Sequence, residues 1–167
     1  TRESGRYTSN IDIPFFKWNR DEPLPDYSRA SLFYNYIADR YGMQNLKFHT
    51  QNTSPGIVGF NNAIVNSGFS DKFEDVLHDF HIANFVNDYS VAPKYGYINP
   101  ERADVNIPSQ TLFKNVNGGS DIGKFDLQAG SVGYLLFKSV KNQKSTFTIP
   151  ANFKVSAVLY SKNTTKV

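Results

Sequence analysis

Three histidines, His49, His78 and His81, have the most chemistry to offer in this sequence, and two of them stand together in the run LHDFH. Side chains at i and i+3 lie about 60° apart around a helix, so His78 and His81 can reach one metal ion with Asp75 or His49 as a further ligand. A zinc-protease helix needs more than this: histidines at i and i+4 with a glutamate between them as general base. That string, HExxH, occurs nowhere in the chain. Two histidines flanking an apolar Phe80 also suit the boundary between a helix and what packs on it. Asp75 and Asp79 have the i, i+4 spacing of an acid–base pair, which is equally the spacing of a solvated helix face. There is no G-x-S-x-G elbow and no phosphate-binding glycine loop. Cysteine is absent, which removes thiol nucleophiles, thiolate metal sites and disulfides together. The candidate metal residues are thus His78, His81 and Asp75, and no catalytic set is complete.

Aromatic side chains are the other resource, at 15% of the residues. Tyr95 and Tyr97, in the run YGYINP, and Tyr134 are expected to offer exposed contact surface for a protein or peptide partner. Trp18 is expected to be core. The charge balance, 18 basic against 15 acidic residues, gives +3 but is dispersed, so nucleic acid is not an expected partner. Lys138, Lys141 and Lys144 are the densest basic spot, placed to blunt a strand edge. No apolar run approaches the roughly 18 residues of a membrane span. Thr1 as first residue, with no signal-peptide core, is expected of a processed or excised piece of something longer.

The elements that must position these groups change character along the chain. Asp26–Gly42 reads as a helix, with Asp26 as N-cap, Gly42 as stop and a stripe of Ala30, Phe33, Tyr34, Ile37 and Tyr41. The apolar lead-in Ile11, Ile13, Phe15, Phe16 and Trp18 is expected to pack on the Phe33/Ile37 side of that helix. Met43, Leu46 and Phe48 hint at a short helix. Ser54-Pro55 reads as N-cap and first residue of another, with Ile57, Phe60, Ile64 and Val65 as its face and Gly68 as its stop. Its Gly56 and Gly59 invite close approach by another backbone. Ser70 opens a third main helix, through Phe73, Val76, Leu77, Phe80 and Ala83, with Asp71, Glu74 and Asp75 at its positive end.

From about Ile107 the apolar period shortens to two, through Phe125, Leu127 and Ala129, then Val132, Tyr134 and Leu136, then Phe147 and Ile149, then Phe153, Val155, Ala157 and Leu159. Asn117-Gly118-Gly119-Ser120 reads as a turn before the first of these. The expected fold is therefore α+β: a three-helix lobe with an extended lead-in over residues 1–104, then a small antiparallel β-sheet or sandwich-like module over 105–167.

Three strings together carry a resemblance. Tyr27, Ala30, Leu32, Phe33, Tyr36, Tyr41 and Gly42 fit Y-x-x-A-x-L-F-x-x-Y-I-x-x-x-Y-G; Ile82, Ala83, Asn84 and Phe85 with Asp88 form a second string, and Tyr95-Gly96-Tyr97 a third. Over residues 20 to 100 the chain resembles the region that follows the active site in secreted bacterial zinc metallopeptidases of the hyicolysin-like group, within the thermolysin-like gluzincins. The family's zinc histidines, general-base glutamate and third ligand lie upstream of that region and have no counterpart here, so none is carried over. The resemblance implies a non-catalytic C-terminal fragment of a secreted or cell-envelope bacterial protein. Its helical lobe would form part of a substrate cleft, with zinc and the catalytic half upstream as partner. Two alternatives stand beside it: a stand-alone extracellular binding or adhesion module, and a small hydrolase built on His78 and His81.

Overall fold

Proline opens the first long helix. Pro23 and Pro25 flank Leu24 where missing N–H groups cost nothing, and α2, Leu24–Tyr41, starts there. The computed structural model describes residues 4–99, 105–106, 114–116, 124, 126–137 and 146–158. A one-turn helix α1, Ser4–Thr8, precedes α2, and α3 (Met43–Gln51), α4 (Gly56–Asn66) and α5 (Phe73–Val86) follow, with a 3₁₀ turn at Pro93–Tyr95. Asp26 is not the cap the sequence suggested. It lies buried in the first turn of α2, where its carboxylate pairs with Arg29 at 2.8 Å and accepts the Asn19 N–H at 2.8 Å. The other starts shift too: Pro55 rather than Ser54 holds the cap position of α4, and Lys72 rather than Ser70 that of α5.

The stops behave as read. Gly42 ends α2 and donates its N–H to Ala38 O at 2.9 Å. After α4, Gly68 takes φ 87°, its N–H bonds Val65 O at 2.9 Å, and Phe69 N–H reaches Ile64 O at 3.2 Å. That double bond is the Schellman closure, open to glycine because a side chain resists positive φ.

Phe33, buried on α2, is the hub of the interior. Its ring meets Phe15 at 5.0 Å, Phe80 at 5.1 Å, Phe60 at 5.9 Å and Phe73 at 6.2 Å between centroids. The Phe60 pair is stacked and the other three are edge-on, and aromatic pairs of either kind each add about 0.5–1.5 kcal/mol beyond their buried area. The lead-in joins them: Ile11 is fully buried, Ile13 and Phe15 pack on the core, and Arg29 bonds Pro14 O at 2.7 Å. Trp18 departs from its expected place in the core. It is 42% exposed and stands edge-on to Tyr27, itself 61% exposed, at 4.8 Å.

The antiparallel module is overturned. Among the described residues the only sheet is a pair of three-residue strands, β1 (Lys114–Val116) and β2 (Leu135–Phe137), and they run parallel, Lys114 opposite Leu135 and Val116 opposite Phe137. Alternating side chains define two faces but supply no hydrogen-bonded neighbour, and a strand needs both. Residues 126–134 instead turn at Gly130 and lay Val132 and Tyr134 on the helical core. Residues 146–158 contain no regular strand, and every one of them is exposed, Phe153, Val155 and Ala157 included. The fold of the described residues is therefore mainly helical. The expected turn at 117–120, Phe125, Leu159 and the Lys138, Lys141 and Lys144 cluster fall outside the described residues.

Candidate functional site

Helix α5 carries both candidate histidines and gives them separate surroundings. His81 is buried, and its Nε2 lies 3.1 Å from Gly130 O. A carbonyl only accepts, so Nε2 carries the proton and Nδ1, buried with no partner in the described structure, carries the lone pair. Burial pushes this imidazole down to about 4, which keeps it neutral at physiological pH. His78 turns outward, its Nε2 3.2 Å from Ser156 Oγ, and desolvation lowers its pKa as well. Asp75, one turn earlier, is paired with the Lys154 ammonium, whose hydrogen bond holds the carboxyl below its usual range. His81 is thus committed to the 126–134 segment, and His78 and Asp75 to residues 154–156. His49 sits on α3, edge-on to Tyr34 at 5.9 Å, away from the other two in the described contacts. No group of three or more metal-ligating side chains is gathered among the described residues.

The tyrosines expected at the surface are mostly inside. Tyr97 is buried and donates its hydroxyl to Asn84 Oδ1 at 2.5 Å, while its N–H reaches Asn87 Oδ1 at 3.3 Å. Tyr134 donates to His81 O at 2.6 Å and stacks on Phe85 at 5.3 Å. Burial raises both phenols well above their ordinary value. Tyr95 is half-buried, with the Lys94 ammonium 4.9 Å from its ring centre. Between them Gly96 runs against the chain just after α5, where a β-carbon would stand 2.4 Å from Tyr89 N.

A charge cluster that the sequence reading did not assemble lies between α2 and α5. Arg40 donates to Asp79 at 2.8 Å, to Asp71 at 2.9 Å and to the Tyr36 hydroxyl at 3.0 Å. Lys94 adds a second cation to Asp79 at 3.2 Å, and Tyr36 in turn donates to Lys94 O at 2.9 Å. Burial alone would lower the Arg40 pKa; Asp79 and Tyr36 outweigh it and hold the guanidinium charged. Asp79 is therefore not on a solvated face beside Asp75. The available signal was its place in the α5 stripe, three residues after Val76 and four before Ala83, since an acid there needs a buried partner. Both Asp79 oxygens are engaged, so the cluster can clamp the helices together.

No protein-family model, curated protein or solved structure matches this chain. No helix among the described residues is long and apolar enough to cross a membrane.

Proposed function

We propose that this chain is a non-catalytic helical lobe of a secreted bacterial zinc metallopeptidase-like protein, a structural wall for a cleft whose zinc and general base lie elsewhere in the precursor. One observation carries the reading: the three strings of the resemblance meet at one place. Tyr36 of the first, Asn84 of the second and Tyr97 of the third are all buried, with the Tyr36 and Tyr97 rings 6.0 Å apart and Tyr97 bonded to Asn84. Leu32, Phe33 and Tyr41 are buried as well, and Gly42 and Gly96 answer backbone demands. Tyr27 and Asp88 of the same strings are exposed, so it is this buried subset that supports a scaffold role.

Two measurements test it. Coding sequence upstream of Thr1 is expected to hold HExxH within about 150 residues; an upstream stretch without that string sinks the assignment. The purified chain supplied with zinc chloride is expected to leave casein intact. Casein cleavage that disappears in His78→Ala/His81→Ala would move the reading to the small hydrolase. A stand-alone extracellular binding module is the second reading, favoured by the exposed Trp18–Tyr27 pair. Its expected outcome is an upstream sequence free of the zinc string.

A further inference from the structure

The stretch from Thr50 to Ser70 contains no Asp, Glu, Lys, Arg or His, in a chain where one residue in five is charged. It folds into the rim and one wall of a cleft of about 480 Å³ lined by Phe48, Gln51, Asn52, Thr53, Asn62, Val65 and Asn66. That volume lies within the range of small-ligand sites, roughly 300–1,000 Å³, and the cleft is a wide-open one, with Gln51, Thr53, Asn62, Val65 and Asn66 all exposed.

The wall is built to stay in place. Asn62, Val65 and Asn66 recur at i, i+3 and i+4 on α4, so they share a face. Gly59 lets α4 press against the preceding loop, where a β-carbon would stand 2.1 Å from Ser54 O. Asn52 locks that loop by accepting Ser54 N–H at 2.8 Å and donating to Gly59 O at 2.9 Å. The side chains of Gln51, Thr53 and Asn66 make no hydrogen bond with the described residues, and that of Asn62 has a single long one, 3.5 Å to Ser54 Oγ. Lys47 and His49 belong to the same helix as Phe48 but do not line the cleft.

We propose that this cleft binds an uncharged sugar. A primary amide presents two donors beside an acceptor, which matches neighbouring hydroxyls that each donate and accept. Phe48 and Val65 supply apolar surface for the C–H face of a pyranose ring. Anions gain nothing there, since no cation lines the cleft and taking an ion out of water is costly. An extended peptide would need a row of pockets for alternate side chains, and these residues outline a single open depression. The proposal does not rest on the peptidase-lobe reading, and the failure of either leaves the other standing.

The test uses the whole chain, labelled with ¹⁵N and titrated at millimolar concentration with cellobiose, N,N′-diacetylchitobiose, a sulfated chondroitin disaccharide and tetra-alanine. At least one neutral disaccharide is expected to shift the side-chain amide signals of Gln51, Asn62 and Asn66 saturably. Gln51→Leu and Asn66→Leu, both at exposed positions, are each expected to weaken that binding by about tenfold, with Asn66→Gln recovering part of the loss. Three outcomes overturn the proposal: no neutral disaccharide titrates, affinity is unchanged in both leucine variants, or the sulfated sugar or tetra-alanine binds as tightly.

Discussion

The contact between α2 and α5 and the contact between α3 and α4 solve opposite problems. In the first, Arg40, Asp79, Asp71 and Lys94 are drawn in beside the aromatic core, and their charges are matched almost completely. In the second there is no charge to match. Asn45, fully buried, clips α3 to α4 through Ala63 O at 3.0 Å and Ser67 Oγ at 2.8 Å, and Gln51, Asn62 and Asn66 are exposed. At the first contact charge holds helices together, while beside the second the side chains with hydrogen-bonding capacity to spare are neutral amides.

Breaking the charged contact is expected to have the largest effect. Arg40→Met leaves Asp79 buried with only the more exposed Lys94, and removing one partner of such a pair typically costs about 3–5 kcal/mol. Urea unfolding monitored by circular dichroism measures it; a loss below about 1 kcal/mol would show that Lys94 suffices.

His81 sharpens the comparison through pH, because it is a buried group with no charged partner. Its folded pKa, about 4, lies below the ordinary 6.5, so folding favours the neutral ring. The stability this contributes is complete above pH 6.5 and is lost as pH falls toward 4, by about 3 kcal/mol. His81→Gln keeps a donor for Gly130 O and cannot charge, so it is expected to flatten unfolding free energy across that window. A slope equal to that of the parent chain would place the sensitivity elsewhere.

The neutral contact is expected to yield the smallest change. Asn45→Ala removes two hydrogen bonds but strands neither partner, since Ser67 Oγ still donates to Ala63 O at 2.9 Å. A loss of about 1–2 kcal/mol is expected in the same urea experiment. A cost equal to that of Arg40→Met would erase the distinction between the two contacts.

The helices were legible because their signals are local. α2 begins two residues before Asp26 and ends one before Gly42, and α4 closes on the glycine chosen for it. Caps were less legible: Asp26 has the right chemistry for a first turn, but Arg29, three residues on, and Asn19 claim its carboxylate. The β module was misread because period-two alternation is a property of one segment, whereas a sheet is a relation between two. Trp18 differs for a similar reason, as composition says what a side chain prefers and not where the chain places it. Of the site residues, the separation of His78 from His81 was beyond the sequence, since it depends on where Gly130 and Ser156 return to α5. The Asp79 partner is within reach of the sequence, since an acid in an apolar stripe needs a buried counter-charge.

One small set of bonds has a kinetic meaning. Asp12 accepts the Gln128 N–H at 3.1 Å and the Ser131 hydroxyl at 2.8 Å, and Phe15 N–H meets Ala129 O at 2.8 Å. The first of these spans 116 residues of sequence. Closing a loop of that length costs on the order of 4 kcal/mol of chain entropy before any contact returns it. The helices between need no such closure, so they can assemble first and offer a finished surface on which the two distant segments latch. In native-state hydrogen exchange the latch is then expected to open at a lower free energy than the α2–α5 interior.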